Sequence, residues 1–215
     1  MKKILSTKII VQNFHYFADF LLNRGYKFSV NECGTSLSNF DKIDCENKVG
    51  VEPKLKDWFT GTKPSFIGTS DEYFESISGT NIKFDVVFID GLHHDDQVVK
   101  DIENSLKHLK RGGIIMCHDC LPSNEREQER NDHGGVWLGD VWKGIALLRM
   151  TRSDLQIEVV DTDCGCGLIK KKKSKTFDYD STKDDWRQYS FYKENRNELM
   201  NVIDIGGLKT KYLNE

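Results

Sequence analysis

Four residues with chemistry in their side chains stand at the ends of two short apolar runs. Phe84 to Ile89 stops at Asp90-Gly91-Leu92-His93, and Ile114 to Cys117 stops at His118-Asp119. Two carboxylates brought side by side repel each other unless a cation or a proton lies between them. Mg²⁺ or Mn²⁺ suits such a pair, because a hard cation takes oxygen ligands and keeps water for a substrate to displace. Asp90, His118 and Asp119 are the candidate metal ligands. His93 is the candidate general base, since an imidazole titrates close to neutral pH. His94, one residue on, competes for that role or lines a substrate pocket.

The elements around these residues explain how they could meet. A short run dominated by apolar residues is what a strand buried on both faces requires. Between the two runs, Val98, Val99, Ile102, Leu106 and Leu109 fall at helical spacing from Asp95 to Leu109, and Arg111-Gly112-Gly113 breaks the pattern. Strand, helix and strand in that order make a right-handed crossover with parallel strands. Asp90 and Asp119 then leave the sheet at its carboxyl edge, where ligands bind in open α/β sheets.

The rest of the chain extends the alternation. Ile9 to Asn23 reads as a helix closed by Gly25, and Tyr26 to Glu32 as a weak first strand. Lys48 to Glu52 and Ser65 to Gly68 are further strands. Ser70 is placed to cap a helix starting near Asp71. Ser123 to Gly135 is polar and without apolar period, which predicts a mobile loop over the site, out to residue 136. Gly139 to Met150 predicts a helix with Trp142 on its apolar face. Gln156 to Val160 and Gly167 to Lys171, joined by Asp161 to Cys166, predict an antiparallel hairpin. The extension from Thr176 predicts one helix near Trp186 to Ile203 and a loose end. The fold class is α/β: a Rossmann-like, doubly wound, mainly parallel sheet of about seven strands with an antiparallel C-terminal hairpin. Residues 1–215 are expected to form a single domain.

Five blocks in order carry a resemblance. They are Val49 to Pro53, Ser70 to Phe74, Phe84 to Ile102, Gly112 to Pro122, and Trp137 to Lys143. The chain resembles class I S-adenosylmethionine-dependent methyltransferases, in the small branch with IDGLH and HDCLP motifs. It is also similar to metal-dependent sugar O-methyltransferases. The resemblance runs from about Val49 to Ile169. It implies S-adenosylmethionine as cofactor, with Glu52 on the ribose hydroxyls, Asp71 beside Ser70 near the adenine, and Asp90 at the cofactor's edge. It implies His93 as base and an acceptor pocket drawing on His94, Trp137 and Asp140. One departure is visible. The family's first strand ends in a glycine-rich turn that lets backbone approach the methionine part of the cofactor, and Glu32 to Ser36 keeps only Gly34.

Composition bounds the rest. A formal charge of −3 gives no bulk electrostatic reason to bind nucleic acid. The run Lys170 to Lys175 follows a strand and reads as a solvated edge. No apolar stretch approaches a membrane span of about 20 residues. Ser6, Thr7 and Lys8 interrupt any leader-like region, so the expected setting is cytoplasmic, with six cysteines reduced. The expected partner is a small-molecule or glycan acceptor, and association into a homo-oligomer stays open. Three rival readings remain beside metal-assisted O-methyl transfer. The first is a metal-independent enzyme using His93 alone. The second is a non-catalytic binding protein with a degraded glycine turn. The third is a zinc module built from Cys117, Cys120, Cys164 and Cys166.

Overall fold

The computed structural model describes residues 3–6, 48–53 and 64–213. It resolves into two compact units. The first comprises Met1–Gly91 with Asp101–Met116, the second Leu92–Lys100 with Cys117–Glu215.

The first unit is the strand/helix alternation. Its strands are β1 (Lys3–Ser6), β2 (Lys48–Glu52), β3 (Phe66–Ile67), β4 (Phe84–Ile89) and β5 (Leu109–Cys117), in the spatial order β3-β2-β1-β4-β5. β1 is parallel to β2 and to β4, and β2 is parallel to β3. This is the mixed α/β, Rossmann-like arrangement expected. All six residues of β4 are buried, five of them apolar, and the sixth, Asp85, pairs with Lys110 at 3.1 Å. The central strand is a correction to the sequence reading. Lys3–Ser6 occupies it, a segment passed over because its apolar residues are so few. The expected strand at Tyr26 to Glu32 and the helix at Ile9 to Asn23 lie outside the described residues.

Helix α1 (Ser70–Ser76) follows β3. Its cap is Thr69 and not Ser70. The Thr69 hydroxyl accepts the Glu72 N–H, and the Glu72 carboxylate accepts the Thr69 N–H in return. That reciprocal box needs Ser or Thr three residues ahead of Glu, a spacing Thr69 meets and Ser70 does not. Helix α2 (Asp95–His108) buries Val98, Ile102 and Leu106. It ends one residue early, and β5 takes in Leu109 to Gly113 as well as the predicted Ile114 to Cys117. Gly113 tolerates this because a Cβ there would lie 2.8 Å from the Asp85 carbonyl oxygen. Only glycine lets the backbone approach that closely.

The second unit holds α3 (Val141–Thr151), β6 (Leu155–Val160), β7 (Cys166–Lys171), α4 (Tyr189–Leu199), β8 (Val202–Ile203) and α5 (Ile205–Leu213), with strands in the order β7-β6-β8. β6 and β7 form the predicted antiparallel hairpin, in register from Leu155↔Lys171 to Val160↔Cys166. Trp142 of α3, Trp186 and Tyr192 are fully buried, and Trp142 and Tyr192 rings meet at 4.7 Å. The C-terminal prediction of one helix and a loose end is corrected. Asn201, at a φ of +48°, ends the helical run early, and the β-branched pair Val202-Ile203 then pairs with β6. The tail is docked. Glu158, 3 % exposed on β6, accepts from Lys211 Nζ and Tyr212 Oη of α5, each at 2.5 Å.

Candidate active site

The register of the first unit places one set of candidate residues. Ser6 at the end of β1 is level with Gly50 on one side and Phe88 on the other. Glu52 and Asp90 therefore each stand two residues beyond the end of the central strand, flanking it at the same edge. Both are buried, at 6 % and 4 % exposed. Ile67 is level with Glu52, so Ser70 and Asp71 leave the sheet beyond the same edge. An edge that buries two carboxylates, with a helix start beside them, suits a ligand carrying hydroxyl donors and positive charge. Gly34 lies outside the described residues.

The candidate residues of the second unit are assembled by loops. His93 is buried, with Nε2 3.1 Å from Oδ2 of Asp119. The other oxygen of Asp119 is 3.1 Å from Nδ1 of His118, and Nε2 of His118 is 3.5 Å from Oδ2 of Asp163. The result is an alternating row of two imidazoles and two carboxylates. Asp119 sits in the left-handed region, at a φ of +61°. That conformation is uncommon outside glycine, and Asp and Asn tolerate it best. It turns the Asp119 carboxylate back between the two histidines.

Three contacts fix His93. The Trp137 ring stacks on its imidazole with centroids 4.8 Å apart and planes 19° from parallel. The Asp140 N–H donates to the His93 carbonyl at 3.0 Å. Gly139, at a φ of +59°, passes so close that a Cβ would lie 2.0 Å from that same carbonyl oxygen. The indole face that sequence reasoning offered to a sugar ring is thus occupied on one side by His93. Trp137 is anchored in turn by its indole N–H, which donates to the Glu129 carbonyl at 2.7 Å.

Asp140 and His94 hold backbone as well as lying beside the site. The Val98 N–H donates to the His94 carbonyl, which makes His94 the cap of α2. The Asp140 carboxylate accepts the Asp95 N–H at 2.9 Å, satisfying a donor that the first turn of a helix leaves open. Arg130 then gathers Asp95, Asp96 and Asp140 at 2.8, 2.5 and 3.2 Å. The Arg130 guanidinium holds the Asp96 carboxyl below the usual range. Arg187 pairs with Asp95 from the other side at 2.6 Å. Sequence reasoning missed Arg130, Gly139 and Asp163. Arg130 and Asp163 sit in polar, non-periodic segments where no spacing singles them out. Gly139 carried a signal, a glycine just ahead of a helix.

The donor set fits a hard cation. In the second unit the Asp119 carboxylate lies against His93, and Asp90 of the first unit is joined to His93 by the two-residue link Gly91-Leu92. Carboxylates suit Mg²⁺ or Mn²⁺. His118, predicted as a ligand, touches the other oxygen of Asp119. No set of cysteines among the described residues forms a group able to hold a metal ion. Burial pushes the Cys166 thiol up to about 12.

The comparisons with known proteins follow this geometry. Residues 30–120 match the model of the family Methyltransf_24, described as a methyltransferase domain. No curated protein matches the sequence. Among solved structures, the chain is 14 % identical to cofactor-bound Rv0187 from MTB, over 80 % of this chain and 74 % of that one, with a TM-score of 0.46. It is 16 % identical to the SAH-bound Podospora anserina methyltransferase PaMTH1, over 80 % and 72 %, with a TM-score of 0.42. A Corynebacterium glutamicum protein is 13 % identical over 63 % and 66 %, with a TM-score of 0.39. No helix among the described residues is long and apolar enough to cross a membrane. The stretch from residue 30 to 120 that resembles a methyltransferase domain includes Glu52, Asp90, His93, His118 and Asp119.

Proposed function

We propose that this chain is an O-methyltransferase. It moves the methyl group of S-adenosylmethionine to a hydroxyl of a sugar or glycan in the cytoplasm, with a divalent ion, Mg²⁺ or Mn²⁺, and His93 as general base. The observation that carries the proposal is the buried 3.1 Å contact between His93 Nε2 and Asp119, within the stretch that resembles a methyltransferase domain. The acceptor oxygen attacks the sulfonium methyl carbon, the carbon–sulfur bond breaks, and S-adenosylhomocysteine leaves. A neutral hydroxyl is a weak nucleophile, so its proton must go as the bond forms. His93 takes that proton, and Asp119 stabilises the imidazolium that results. Glu52 accepts hydrogen bonds from the ribose hydroxyls, and Asp71 lies toward the adenine. Asp90 and Asp119 would hold the ion, which supplies Lewis-acid polarisation of the acceptor oxygen when bound.

The same contact supports a second reading, in which the His93–Asp119 pair works as a base without metal. Calorimetry with S-adenosylhomocysteine, with and without Mg²⁺, tests both. Binding in either condition is expected for an enzyme of this class, and no binding at all would sink the proposal in favour of a non-catalytic protein. Turnover that survives EDTA, once an acceptor is found, selects the metal-free reading. Loss of fold in EDTA would return the argument to a structural metal.

A further inference from the structure

We infer that Asp163, acting through His118, is a positioning residue for Asp119. The inference rests on the reading of Asp119 as the partner of His93 and a holder of the ion.

His118 is 4 % exposed and lies between two carboxylates, with Nδ1 toward Asp119 at 3.1 Å and Nε2 toward Asp163 at 3.5 Å. Each ring nitrogen faces a carboxylate, so the ring lies as a spacer between Asp163 and Asp119 and bears on which way the Asp119 carboxylate faces. A carboxylate behind a histidine serves metal centres in this way, by orienting the group that touches the ion. Asp163 reaches His118 from the turn of the β6–β7 hairpin, and that turn is built to deliver it. Asp163, Cys164 and Gly165 are three successive residues at positive φ, of +42°, +61° and +87°. Two of them carry side chains, a strained conformation that persists only where the surroundings impose it. The surroundings do impose it. The Leu121 N–H donates to the Cys164 carbonyl at 2.8 Å and the Cys120 N–H to the Gly165 carbonyl at 3.1 Å. Gly165 packs against Leu121 so closely that a Cβ would lie 2.4 Å from its Cγ. The hairpin turn is therefore clamped onto the segment His118 to Leu121. His118 ends up bracketed by two aspartates, each on left-handed backbone.

A rival explanation holds that Asp stands at position 163 only because Asp tolerates left-handed backbone. Asp163→Asn separates the two, since Asn tolerates that backbone equally and carries no charge. Crystal structures of the metal-free wild type and Asp163→Asn supply the direct readout. The expected result is an unchanged turn at 162–165, with the Asp119 carboxylate displaced from His93 Nε2 by more than about 0.5 Å, the tolerance of a working site. Titration with Mn²⁺ alone, followed by its electron paramagnetic resonance signal, is expected to show affinity weakened about tenfold, the scale for removing such a supporting carboxylate. The melting temperature is expected to stay at the wild-type value. Asp119 in its original place with unaltered Mn²⁺ affinity would overturn the inference. If Asp163→Asn fails to fold, His118→Phe keeps a ring and removes both nitrogens, and it must displace Asp119 in the same way. A wild type that binds no Mn²⁺ would remove the ion from the proposed function, and the crystallographic comparison alone would then decide the role of Asp163.

Discussion

The candidate residues of the two units are placed by different means. In the first unit, Glu52 and Asp90 are placed by strand register, each two residues beyond the end of β1. In the second, His93, Asp119, His118 and Asp163 are placed by loops, through left-handed backbone, a ring stack and a row of ion-pair contacts. Register is rigid, because shifting it turns every buried side chain of a strand to the other face. Loops owe their geometry to a few named contacts and fail one contact at a time. The residues proposed to bind cofactor can therefore lean on the sheet. Those proposed to move a proton depend on side chains that a single substitution can release.

The largest expected effect falls on the loop-built half. His93→Ala should leave S-adenosylhomocysteine binding nearly intact and cut kcat by about 10²–10⁴, the usual contribution of a general base. His94→Ala should do much less, because the backbone carbonyl of His94 caps α2 whatever its side chain. Equal effects from the two variants, measured as S-adenosylhomocysteine released, would dissolve the distinction between them.

Next comes the register-built half. Glu52→Ala should weaken S-adenosylhomocysteine binding by about 1–3 kcal/mol, the range for losing a charge-assisted hydrogen bond. Calorimetry reads this directly. Wild-type affinity in the variant would mean that the strand end carries no ribose contact and that the sharp placement at Ser6 serves only the fold.

A third expectation concerns stability and pH. Burial of Glu158 opposes ionisation, yet hydrogen bonds from Lys211 and Tyr212 outweigh it and hold its carboxyl below the ordinary value. A carboxyl depressed in the folded state contributes stability that is present above its unfolded value and lost as pH falls through the folded one. The docking of α5 should therefore weaken in acid. Glu158→Gln should lose about 1–3 kcal/mol at neutral pH, as for a charged hydrogen bond, and should flatten the acid limb. Thermal melts between neutral and acidic pH check both, and an unchanged limb would point to other carboxylates.

The smallest effect is expected at Arg130. It ties the loop from Ser123 to the first turn of α2, but its side chain is 42 % exposed. Exposed ion pairs contribute about 0–1 kcal/mol. Arg130→Ala should barely move the melting temperature, while the Trp137 indole, carried by the same loop, becomes more mobile against His93. Trp fluorescence quenching at low and high salt would show it, with salt mimicking the variant. Salt-insensitive quenching would free the loop from that ion-pair account.

Much of this was written in the chain itself. Strand ends announce themselves where an apolar run meets an acid, so Glu52, Asp90 and Asp119 could be found by reading. The helix between Asp95 and His108 follows from its spacing, and the hairpin at Cys166 from two β-rich runs and a short glycine-bearing joint. Burial against the sheet enforces these periods, and periods are visible in one dimension. Other features waited for the tertiary structure. Lys3–Ser6 is a strand because neighbours on both sides pair with it, not because four residues prefer that state. Thr69 rather than Ser70 caps α1 because the Glu72 carboxylate reaches back to it. Asp163 faces His118 only because a turn forty-five residues further along the chain is clamped to Cys120 and Leu121. Contacts of that kind join residues with no common period, so nothing in the order of the amino acids marks them until the chain has closed on itself.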